Sequence, residues 1–63
     1  MVDVNNASAS ALLRLPGITD ALATRIIEVR AQTAGFSSLE DLGTVLDLPG
    51  QLVERLRDHV VFL

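Results

Sequence analysis

The chain contains no cysteine, no lysine, no tryptophan and no tyrosine, and each absence closes a route. Without cysteine there can be neither a disulfide nor a thiolate zinc site. A chain of 63 residues must therefore hold itself together by packing, although domains this small commonly rely on such staples. With Phe36 and Phe62 as the only aromatic residues, there is no platform on which bases could stack. Positive charge comes from five arginines alone, set against eight carboxylates for a net charge of -3. That sign is opposite to the usual footprint of a nucleic-acid binder. No apolar run approaches the ~18 residues that span a bilayer, and no basic segment precedes an apolar stretch in the manner of a signal peptide. No membrane contact by this segment is expected.

Catalytic signatures are also missing. There is no cysteine nucleophile, no phosphate-cradling P-loop, no dinucleotide fingerprint, and no acid pair distinguishable from ordinary surface charge. Ser8, Ser10, Ser37 and Ser38 have helix-capping roles or none, and His59, the only histidine, cannot make a triad alone. The expectation is a non-enzymatic chain with no metal, no cofactor and no small-molecule substrate.

What the chain does have is aliphatic residues in helical spacing. Half of it is hydrophobic (49%), and 63 residues suffice for one small domain burying ~60% of its unfolded surface. Residues 1–63 are read as that one domain, with Met1 compatible either with a native start or with a unit cut from something longer. The stretch "LLRLPGITDALATRII" interrupts an apolar, helix-prone run with Pro16-Gly17 and resumes it at once, the mark of a tight hairpin between two helices. Asn5 to Ser8 offer N-caps for a first helix running to about Arg14. Gly17 suits the left-handed conformation that ends a helix. Thr19 is the expected N-cap of a second helix, with Asp20 in the first turn where the helix dipole favours negative charge. On that helix Leu22, Ile26 and Val29, widened by Ala23 and Ile27, form a buried stripe, and Gly35 stops it. Ser38 and Asp41 resemble a capping box opening a third helix over about Leu39 to Thr44. Pro49 falls near the start of a fourth, with Leu52, Leu56 and Val60 on one face. Arg30 lies inside the apolar arc of the second helix, so its stem is expected to pack and its head to pair with a carboxylate. His59 is read as a terminal packing residue and Phe36 as core.

These segments repeat. "LPG" occurs at Leu15-Pro16-Gly17 and at Leu48-Pro49-Gly50, an offset of 33 that would set Leu22 on Arg55 and Ile26 on His59. An offset of 30 instead pairs Ser8 with Ser38, Leu12 with Leu42, Leu15 with Val45, Ile18 with Leu48, Leu22 with Leu52, Arg25 with Arg55 and Ile26 with Leu56. Caps then match caps and core matches core. The predicted fold is all-α, a tandem helix-hairpin-helix of two motifs and four short helices about a pseudo-twofold axis, each motif burying the stripe the other exposes.

The segment "DVNNASASALLRLPGI" resembles the opening of the competence protein ComEA-like helix-hairpin-helix domain family, and "ATRIIEVR…GFSSLEDL" is similar to its centre. The resemblance covers nearly the whole chain, and it implies competence-related, sequence-independent DNA binding. In such proteins the N–H groups of the hairpin and of the following helix start point at a phosphate oxygen and read no bases. Carried over by position, the implied contacts are Gly17, Ile18, Thr19 and Ala21, with Arg14 and Arg25 as the nearest basic side chains. In the second motif the corresponding turn is Asp47-Leu48-Pro49. An aspartate tolerates the left-handed conformation, but its carboxylate repels phosphate and Pro49 has no N–H to give, so this turn is read as structural. The implied partner is double-stranded DNA, bound weakly and without sequence preference. A protein partner is the alternative, since a similar fold serves a structural role in an extrinsic photosystem II subunit. The acidic balance and the Asp47 turn favour that alternative; the intact Leu15–Ile18 hairpin favours DNA.

Overall fold

The computed structural model describes residues 1–63 as four α-helices and one two-residue strand pair. The elements are β1 (Val2–Asp3), α1 (Ala9–Leu12), α2 (Asp20–Thr33), α3 (Leu39–Val45), α4 (Gly50–Leu56) and β2 (Val60–Val61). The fold is all-α and tandem, as the offset of 30 predicts. Ser8 caps α1 by accepting from the Ala11 N–H at 3.3 Å, and Ser38 caps α3 by accepting from the Asp41 N–H at 3.1 Å. Helices α2 and α4 begin at Asp20 and Gly50 after the N-caps Thr19 and Pro49. The turn residues Gly17 (φ 76°) and Asp47 (φ 54°) are both left-handed. Pro16 is a turn residue whereas Pro49 is an N-cap, so the two LPG segments are not structural counterparts.

Matched core positions meet in one cluster. Leu12, Ile26, Leu42 and Leu56 are almost entirely excluded from solvent, together with Val4. Burying each such side chain contributes about 1.5–3 kcal/mol. Leu15, Ile18, Ala23, Phe36, Leu39 and Val60 complete the buried set, and Leu22, Ile27, Val29, Leu48 and Leu52 pack at its edge. The repeat fails at one pair: Leu15 is buried while Val45 is 43% exposed.

Several expectations need correction. The first helix ends at Leu12 rather than near Arg14, because the chain tightens to three-residue hydrogen bonds, Arg14 N–H to Ala11 and Leu15 N–H to Leu12. A residue before proline avoids the α conformation, so Leu15 could not have carried the helix on into Pro16. Val60 is not on helix 4, which stops at Leu56. Instead β1 and β2 pair in parallel, Val2 opposite Val60 and Asp3 opposite Val61, with the Val2 N–H donating to His59 at 2.8 Å and the Val4 N–H to Val61 at 3.0 Å. The β-branched Val60-Val61 pair suits an extended backbone better than a helix. The His59 side chain is exposed rather than packed. Arg30 is half-buried as expected, but its Nη1 donates to the Val4 carbonyl at 3.0 Å and not to a carboxylate.

The N-terminal segment is fastened at a second place. The Asn5 amide meets the backbone of Phe36 in both directions, Oδ1 accepting its N–H at 2.7 Å and Nδ2 donating to its carbonyl at 2.9 Å. Gly35 makes room for this: it adopts φ 102°, and a Cβ there would lie 2.8 Å from Asn5 Oδ1. The capping box of α3 is offset by one residue, since the Asp41 carboxylate accepts from the Ser37 N–H at 3.0 Å rather than from Ser38.

Candidate nucleic-acid interface

The connection between α1 and α2 is a turn of the kind that places proline second and a left-handed glycine third. The Ile18 N–H donates to the Leu15 carbonyl across it, at 3.3 Å. Ile18 buries its side chain beneath the turn, which fixes the turn to the core. Helix α2 then starts at once, its Thr19 cap accepting the Leu22 N–H at 3.3 Å and its first internal bond running from the Ala23 N–H to the Thr19 carbonyl at 2.9 Å.

Those bonds leave the N–H groups of Gly17, Thr19, Asp20 and Ala21 without an acceptor in the protein. All four residues are exposed. They follow one another through the turn and into the positive end of a 14-residue helix, an arrangement that attracts an anion through both hydrogen bonding and the helix dipole. Of the hairpin residues expected from sequence, Gly17, Thr19 and Ala21 have free amides, whereas that of Ile18 is committed to its own turn. The amide of Asp20, the first residue of the helix start that the resemblance implies, is free as well. Its carboxylate, exposed at the same place, is the one feature there that opposes an anion.

The second turn is poorer. The Asp47 N–H donates to Thr44 at 3.3 Å, the Leu48 N–H donates to Gly43 at 2.9 Å, and Pro49 has none, which leaves only the Gly50 and Gln51 amides at the α4 start without an acceptor. The Asp47 carboxylate is exposed beside it.

Arg14 and Arg25 are exposed and in no ion pair. Arg25 stands one helical turn beyond Ala21, on the same side of α2. Arg57 is taken up elsewhere, bridging Glu40 at 3.1 Å and Glu54 at 2.7 Å. Its hydrogen bond to Glu54, then that to Glu40, hold its pKa above even the usual arginine value. Arg55, which flanks the stripe of its helix as Arg25 does, is not among the contacts the resemblance implies, yet it lies beside the first hairpin. Helix α4 packs against the first hairpin so closely that a Cβ at Gly17 would meet Leu52 Cδ1 at 2.6 Å and Arg55 Nη1 at 3.7 Å. Arg55 is exposed and forms no ion pair. Pairing Arg55 with Arg25 in the repeat hinted at its exposure, but only the packing of one motif on the other reveals its proximity to Gly17.

A small all-α unit of two helical hairpins, with a glycine turn and open amides at a helix start, defines a class generally associated with nucleic-acid binding. The family model for the helix-hairpin-helix motif matches residues 1–61, and the chain belongs to that family. It is 36% identical over 59 residues to endonuclease/exonuclease/phosphatase family domain-containing protein 1 of Danio rerio, covering 94% of this chain and 11% of that protein. The proteins of the same name from Homo sapiens and Xenopus laevis are 34% and 32% identical over 59 residues, again covering 94% of this chain, and 10% and 11% of their own lengths. The chain thus spans about a tenth of the length of these curated relatives. No solved structure matches it.

Proposed function

We propose that this chain is a non-catalytic module that binds DNA without sequence preference, by presenting the hairpin and the α2 N-terminus to a backbone phosphate. The observation that carries this reading is the set of unpartnered amides on the exposed residues Gly17, Thr19, Asp20 and Ala21. Backbone N–H groups and sugar-phosphate oxygens recognise each other whatever the base sequence. Arg14 and Arg25 add charge nearby. The ComEA-like resemblance supports the same role. So does the matched segment's place as a minor part of relatives named for an endonuclease/exonuclease/phosphatase domain, where a holding module would complement an enzyme.

One hairpin with one or two arginines neutralises about one or two phosphates, so log affinity should fall against log salt with a slope of roughly -1 to -2. The test is a titration of the chain, Asp20→Lys and Asp47→Lys against a labelled duplex at low salt. Asp20→Lys should tighten binding by replacing a repulsion beside the open amides. Asp47→Lys should help less, since the Asp47 and Leu48 amides are committed to the turn itself and Pro49 has none. No binding by the parent and no gain from Asp20→Lys would overturn the proposal. That outcome would favour a protein-interaction module, the reading supported by the unpaired carboxylates of Asp20, Glu28, Asp47 and Asp58.

A further inference from the structure

The two motifs are built alike, yet they differ in what they offer an anion. The first turn is rich in free amides. The second spends the Asp47 and Leu48 amides on its own turn, lacks one at Pro49, keeps only those of Gly50 and Gln51 open at its helix start, and exposes a carboxylate. The second motif nevertheless reaches the first turn, because Leu52 supports Gly17 from below and Arg55 Nη1 comes beside it. Arg55 has no carboxylate partner to neutralise it, in contrast to Arg57 two residues on. An exposed, unpaired guanidinium next to open amides completes a mixed site, in which neutral N–H donors orient a phosphate oxygen and a full positive charge offsets its negative one.

We propose that Arg55 is a phosphate-binding residue of the first hairpin, and that the tandem is one-sided: its second motif serves the first site instead of forming a second. This rests on the phosphate reading above and adds a consequence to it. A molecule with one such site engages one backbone at a time, so it should count the same number of phosphates on a single strand as on a duplex.

The experiment measures the salt dependence of binding to a labelled single-stranded oligonucleotide and to a duplex of equal length. The parent, Arg55→Gln, Arg55→Lys and Arg25→Gln are compared, each also in the Asp20→Lys background so that weak binding stays measurable. Each phosphate contact contributes a slope of about -0.9 on a duplex and about -0.7 on a single strand. Arg55→Gln should reduce the slope by the equivalent of about one contact on both substrates, and Arg55→Lys should retain it. Thermal melts should leave all Arg55 variants at the parent value, since the side chain makes no hydrogen bond in the fold. Parent-like slopes for Arg55→Gln, in a chain that binds and responds to Asp20→Lys, would overturn the role of Arg55 while leaving the phosphate reading standing. A contact count on the duplex exceeding that on the single strand by one or more would overturn one-sidedness. Failure of every variant to bind either substrate would overturn both readings together.

Discussion

Gly17 answers three demands at once, and they are separable. Its φ of 76° excludes most side chains, Leu52 occupies the space a Cβ would need, and its N–H has no acceptor in the protein. Gly17→Val should therefore destabilise whatever the function: a β-branched residue at positive φ costs roughly 1–3 kcal/mol. Each kcal/mol lowers the melting temperature by about 4–8 °C in a domain of this size, which thermal unfolding monitored by circular dichroism will read. An unchanged melt would mean that the turn is not left-handed in solution. The glycine itself was legible in the sequence, because a Pro-Gly step between two apolar helical runs leaves few other conformations. The fit against Leu52 was not, since it joins residues 35 positions apart. Asp47 shows the same division. Its left-handed φ follows from the repeat and from the tolerance of aspartate, but the commitment of its amide to Thr44 depends on the detailed path of the α3 exit.

At the scale of elements, capping chemistry was the most readable signal. Ser8, Thr19 and Ser38 each cap the helix expected of them, because a side-chain oxygen three residues ahead of an N–H is a local fact. Helix ends and strands were harder. Two-residue strands carry no periodicity, so β1 and β2 could not be seen, and Val60 was assigned to the helix whose spacing it happened to continue. Asn5 was read as one of several cap candidates, yet its task lies across the fold, where it completes the backbone of the connection between α2 and α3. Asn5→Ala would leave the Phe36 N–H and carbonyl without partners in a part-buried site, at a cost of about 1–3 kcal/mol. The expected result is a lower melting temperature together with faster hydrogen exchange at the Phe36 amide. Exchange unaltered from the parent would mean that the N-terminal segment does not rest there.

For the molecule as a whole, the acidic balance has an organised part and a free part. Asp3 gathers the ends: its carboxylate accepts from the Asn6 side chain, from the Leu63 N–H at 3.2 Å and from the Asn5 N–H at 3.1 Å. The Asn6 bond foremost, followed by those from Leu63 and Asn5, lowers its pKa, while partial desolvation opposes them. Glu54 is lowered as well, by its hydrogen bond to Arg57 and then by that charge. Both groups have folded-state values below their unfolded ones. Their stabilisation is thus present above the ordinary carboxylate range and is lost as pH falls through the folded values. Stability should decline on acidification below about pH 4, and Asp3→Asn should make that decline shallower; an equally steep decline would assign it to other groups. Asp3 also marks the place where residues 60 positions apart are joined. Because β1 and β2 run in the same direction, a force pulling Met1 and Leu63 apart would act along the strands in opposite senses. The bonds from Val2 to His59 and from Val4 to Val61 would then bear the load together, in shear, instead of opening one after another like a zip. A chain with so small a core would meet tension on its two ends with its terminal clasp first, and the hairpin site would feel that tension only after the clasp had given way.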